Sequence, residues 1–179
     1  MAKATRDAPA ERLAPAEIRI LRSEASHGIA LSGRTLIVLW QTETRTQAVH
    51  ELAALLASQA AEFGNVGLLQ VIGDQAISPD GAARTALAEM LKANEAGIVA
   101  SAVAFEGVGF RASMVRSIVI GISMLSRPQC PHTVFASTEE AIAWLSARLD
   151  DGASNSAERM RRAVAQLRQR LDLAPAPTR

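Results

Sequence analysis

The sequence predicts an α/β fold: a single, mainly parallel sheet of about five to six strands, with an N-terminal antiparallel hairpin and crossover helices. Three observations predict it. Ile98–Phe105 is a run of small and β-branched residues, the pattern of a strand covered on both faces. Directly after it, Phe110, Met114, Ile118, Ile122 and Leu125 repeat at helical spacing, so strand, Gly-containing turn and packed helix form one βα unit. Elsewhere single apolar runs alternate with longer amphipathic stretches, as parallel strands alternate with crossover helices.

In chain order, residues 1–15 combine Ala, Pro and charge and predict a disordered arm. Ile18–Arg22 predicts an edge strand. His27–Leu31 and Thr35–Trp40 flank Ser32-Gly33-Arg34 and predict a hairpin, its second strand inside the sheet because Leu36–Leu39 is apolar throughout. Thr44–Phe63 predicts a helix burying Val49, Leu52, Leu56, Ala60 and Phe63, stopped by Gly64. Val66–Ile72 is the next strand. Ser78-Pro79-Asp80 predicts a helix start, with Ser78 as cap and Pro79 at the first helical position; this helix buries Ala83, Leu87, Met90 and Leu91 and ends at Gly97. After the Ile98–Leu125 unit, Pro128 and Pro131 enforce a break and Thr133–Ala136 is a short last strand. Ser137 and Glu140 stand at capping-box spacing before a helix burying Ala141, Trp144, Leu145 and Leu149. Residues 150–156 have linker composition. Ser156 is the expected cap of a final helix, 157–172, whose Met160, Val164, Leu167 and Leu171 form a narrow apolar seam among arginines. The expected organisation is an arm over 1–16, a domain over 17–149, a linker with a basic amphipathic helix over 150–172, and a disordered tail over 173–179.

Composition narrows the function. An apolar fraction of 49% supplies a sizeable core, and a formal net charge of +1 gives no whole-chain field toward nucleic acid. Aromatic residues make up 3% and Tyr is absent, which disfavours stacking on bases or sugars. Cys130 is the only cysteine, so neither an intramolecular disulfide nor a cysteine zinc cluster can form, and a cytoplasmic location is expected. No apolar run approaches the roughly 18–20 residues that span a bilayer.

No catalytic constellation is visible. His27 and His132 open predicted strands, His50 falls on the polar side of its helix, and none is paired at ligand spacing or set beside a nucleophile. Cys130 has no adjacent base. No catalytic residue, metal or cofactor is therefore expected. Gly107-Val108-Gly109-Phe110-Arg111 joins a buried strand to a helix, where free N–H groups favour an anion; Gly107, Gly109 and Arg111 are the candidate anion-binding residues. A dinucleotide fingerprint is incomplete there: no acidic residue follows about twenty positions on. On the same helix Arg116, Ile120, Met124 and Arg127 lie roughly opposite the predicted core stripe. Apolar residues on that side imply a second covering, by the 157–172 helix, another copy or a partner, so these four are the candidate partner-binding residues. The 157–172 helix is read as a partner or dimer helix, an anionic-membrane helix, or one packed on its own domain.

The hairpin, the Leu36–Leu39 strand, the 44–63 helix, the Phe105-Glu106-Gly107 strand end and the closing Phe135–Leu145 segment with Trp144 resemble the STAS superfamily, in particular its SpoIIAA-like or STAS/SEC14-type domains, over residues 17–149. That resemblance implies a STAS-like fold and a non-enzymatic regulatory or scaffold module acting through a protein partner or through itself. Its SEC14-type side implies, as the alternative, a carrier of a small-molecule or lipid ligand. In the regulatory members a partner kinase phosphorylates the Ser of an Asp-x-Ser-Gly segment. The matching junction here reads Gly73-Asp74-Gln75-Ala76-Ile77-Ser78, which lacks that motif and leaves Ser78 as the candidate phosphorylation site.

Overall fold

The computed structural model describes residues 18–107, 109–126, 128–149 and 153–172. The arm at 1–16, the tail at 173–179, Arg127 and the side chains of Phe110, Arg111 and Met114 lie outside the described residues. In chain order the elements are β1 (Ile18–Glu24), β2 (His27–Ser32), β3 (Thr35–Trp40), α1 (Thr46–Phe63), β4 (Val66–Ile72), α2 (Gly81–Ala93), a short 3-10 turn (Glu95–Gly97), β5 (Ile98–Phe105), α3 (Gly109–Ser126), β6 (His132–Phe135), α4 (Thr138–Ser146) and α5 (Ala153–Asp172). They build one six-stranded sheet in the order β1-β2-β3-β4-β5-β6. β1, β2 and β3 are antiparallel neighbours; β3 through β6 are parallel.

This order explains the layers. Each parallel strand is followed by one laid directly beside it, always in the same direction. Crossovers of one hand then put α1, α2 and α3 on one face. That face packs Leu36, Val38, Trp40 and Leu68 against Val49, Leu52 and Leu56 of α1 and Leu87 and Leu91 of α2. Val103 and Phe105 meet Val115 and Val119 of α3. No strand follows β6 among the described residues, so α4 and α5 are free to close the opposite face. There Ile37, Leu39, Leu69 and Val71 pack on Ile142 and Leu145 of α4 and on Met160, Val164 and Leu167 of α5.

Several local expectations change. Asp80, not Ser78, caps α2: its carboxylate accepts the Ala83 N–H at 2.8 Å, and the helix starts at Gly81 rather than Pro79. Ser78 is held away because Ile77 N–H donates to the Thr42 carbonyl at 2.6 Å, and Glu43 and Ile77 form a bridge between the loops after β3 and β4. α2 stops at Ala93, not Gly97, because Asn94 turns its side-chain amide back onto the Met90 carbonyl at 2.9 Å. α5 starts at Ala153, so Ser156 is a buried residue inside the helix instead of its cap. The seam of Met160, Val164, Leu167 and Leu171 is buried on the chain's own sheet, which excludes it as a free partner-binding or membrane-binding stripe. In α3, Ile118 and Ile122 pack inward as expected, but Leu125 is 69% exposed and Val115 and Val119 take the core positions. That helix is apolar on most sides and packs on α2 and on the margin of the sheet, so Val115, Ile118, Val119 and Ile122 face inward while Leu125 runs past the core.

Candidate functional site

The two edges of the sheet differ. β1 carries Arg19, Arg22 and Glu24 and has an irregular register between Ile20 and Arg22, features that discourage further strand pairing. β6 reads His132-Thr133-Val134-Phe135, is regular against β5, carries no formal charge at neutral pH, and has no described strand beyond it. Pro131, just before it, keeps the edge short.

α3 stands over this edge. Ile120 and Met124, one helical turn apart, are 43% and 70% exposed. Together with Arg116, the strand residues His132–Phe135, and Glu140 of α4, they line an open groove of about 670 Å³. The structure therefore brings together Arg116, Ile120 and Met124, as the sequence grouped them, and adds the β6 edge, which periodicity along one helix could not reveal. Leu125 adds a further exposed apolar side chain near Gly121 on the flank of α3 toward α2.

The glycine turn before α3 has local explanations. Gly109 has φ +70°, a conformation L side chains rarely adopt, and a Cβ on Gly107 would lie 2.2 Å from the Phe105 ring. The neighbouring Glu106 carboxylate accepts hydrogen bonds from Thr138 Oγ1 and Arg168, clamping the end of β5 to α4 and α5. Arg161 reaches Glu139 at 2.8 Å beside it. Arg161 and Arg168 are thus engaged by carboxylates, and the side chain of Arg111, the candidate anion contact, lies outside the described residues.

A second space lies between α2 and α3, above the sheet. Trp40, Ile72, Leu91, Val115 and Ile122 form its walls, and Ile77, 62% exposed, stands at its mouth. The cavity is small, about 50 Å³, and opens to solvent past Ile77. Four polar side chains reach this apolar setting. Gln70 accepts the Trp40 indole N–H at 3.3 Å, Thr44 lies on the rim, and Ser78 and His132 line the wall. Ser78 Oγ and both His132 ring nitrogens are buried without a hydrogen-bond partner. Burial lowers the His132 pKa and keeps the ring neutral at pH 7. Among the described residues no charged side chain lines the space. His132 borders both this pocket and the outer groove. The sequence offered one signal for the site: Gln70, a lone amide inside the apolar run of β4.

The remaining candidates fall outside both features. His50 is exposed on α1, and His27 is buried against Trp40, with ring centroids 5.5 Å apart. Burial raises the Cys130 pKa and holds it as the less nucleophilic thiol. Among the described residues no three His, Cys, Asp or Glu side chains gather as a metal site, and no helix is long and apolar enough to cross a membrane. Neither a protein-family model nor a curated protein matches the sequence.

Proposed function

We propose that this chain is a non-enzymatic regulatory or scaffold module, of STAS-like type, that acts through contact between copies of itself at the α3–β6 flank. The observation that carries this reading is the pair Ile120 and Met124, exposed beside an uncharged strand edge that lacks a neighbour among the described residues. An apolar strip next to unpaired backbone N–H and C=O groups supports both strand pairing and side-chain burial. A two-fold axis perpendicular to the sheet would pair two β6 edges antiparallel and set each α3 beside its copy, covering Ile120 and Met124 on both sides. Among the described residues the groove is lined by one cation, Arg116, and one anion, Glu140, which can pair across two copies at this face.

Sedimentation velocity of the wild type and of Ile120→Asp over a concentration series tests the proposal. The wild type is expected as a dimer and the variant as a folded monomer, because a buried, unpaired carboxylate opposes association. A wild type that stays monomeric at the highest concentration, or a variant that still dimerises, overturns it. The carrier reading is favoured by a separate observation, the partly enclosed pocket between α2 and α3. Its volume of about 50 Å³ lies well below the ~300–1,000 Å³ of drug-sized sites, which argues for a small ligand rather than a lipid chain.

A further inference from the structure

Burying a polar atom without a partner costs about 1–3 kcal/mol, so such atoms are uncommon and call for a cause. Ser78 Oγ and the two ring nitrogens of His132 are three of them at a single pocket. The pocket is open to solvent at Ile77, and it lies beside the ends of β3 and β4, where Trp40 and Ile72 enter its wall. We infer that this pocket is a binding site for a small, uncharged, largely apolar molecule carrying one or two hydrogen-bonding groups, which pair with Ser78 and His132.

The chemistry of the walls selects that class. With no charged side chain among the described lining residues, an ionic ligand would give up its hydration and gain no counter-charge from them. A neutral imidazole presents one donor and one acceptor, and a serine hydroxyl presents both, so an alcohol, phenol or amide can be satisfied from either side. The apolar part of the ligand lies against Val115, Ile118 and Leu91 and extends toward the mouth at Ile77 and Pro79. The pocket is small, so the ligand is small as well, with its polar end toward Ser78 and His132. This inference is independent of self-association: Ile120 does not line the pocket.

The two tryptophans provide the readout. Trp40 lines the pocket; Trp144 lies on the opposite face of the sheet, stacked near Phe135 and under Arg148. Phenol and cyclohexanol are titrated into ¹⁵N-labelled full-length protein, with benzoate as the charged counterpart. The expected result is a saturable shift of the Trp40 indole N–H signal with both neutral probes, a stationary Trp144 signal, and no response to benzoate. Ser78→Ala is expected to weaken phenol about fivefold, the equivalent of one hydrogen bond. Val115→Phe, its fold checked by an unmoved Trp144 signal, abolishes the shift, whereas Ile120→Asp leaves it intact. Absence of a saturable Trp40 shift with either neutral probe overturns the proposal. So does an equal response to benzoate, or a phenol affinity unchanged by Ser78→Ala.

Discussion

At the scale of single residues, caps and buried titratable groups make separable predictions. Asp80 and Ser78 stand two residues apart, and both are helix-capping types. Only Asp80 holds a free N–H of α2. Asp80→Ala is expected to lower stability by about 1 kcal/mol, while Ser78→Ala leaves it within about 0.5 kcal/mol or raises it, since the buried hydroxyl has no partner to lose. Urea unfolding of both variants checks the contrast. Burial lowers the pKa of His132, and it lowers that of His27 too, where the nearby Glu51 and Glu24 partly offset it. The unfolded chain therefore takes up protons near its ordinary value of about 6.5 while the folded rings still resist. The stability these neutral rings sustain is complete above that pH and falls as pH drops toward the lowered folded values. Urea midpoints measured between pH 7.5 and 5 should fall accordingly, and less steeply in His132→Gln.

At the scale of elements, the informative contrast is between α5 and α3. The α5 seam was legible in the sequence; its destination was not. Met160, Val164 and Leu167 fit a coiled-coil seam, and equally a helix lying on a sheet, because both use one narrow apolar stripe. Packing on β2 decides it. Leu167 is fully buried, and a Cβ on Gly28 would come within 2.9 Å of its Cδ2, so the helix approaches the strand at its glycine. Leu167→Ala is expected to cost about 2–5 kcal/mol, read as a reduced denaturation midpoint with an unchanged slope. For α3 the pattern misled in the other direction. An all-round apolar helix has no unique inward face, and the placement of β5 and β6 beneath it chose Val115, Val119 and Ile122 over Leu125.

At the scale of the whole molecule, one direction of strand addition sets which surfaces stay open. Three crossover helices share one face, and the other is sealed by α4 and α5. That leaves the β6 margin, with α3 above it, as the flank where exposed apolar side chains meet an uncharged strand edge. The proposed self-association belongs to this scale, and the concentration dependence of sedimentation is its measure. Ile120→Asp should abolish it and leave thermal unfolding nearly unchanged, since Ile120 is already 43% exposed in the monomer. The amino-acid sequence by itself determined the kinds and order of the elements, because hydrophobic period and stop residues act within a few positions along the chain. It also marked Arg116, Ile120 and Met124, because apolar residues opposite a core stripe are visible on one helix. Only the tertiary structure decided that α5 belongs to the sheet, that Asp80 caps α2, and that Ser78, Gln70 and His132 meet at one pocket. Those outcomes depend on contacts between segments far apart in sequence, and no local pattern encodes which distant surface a residue will meet.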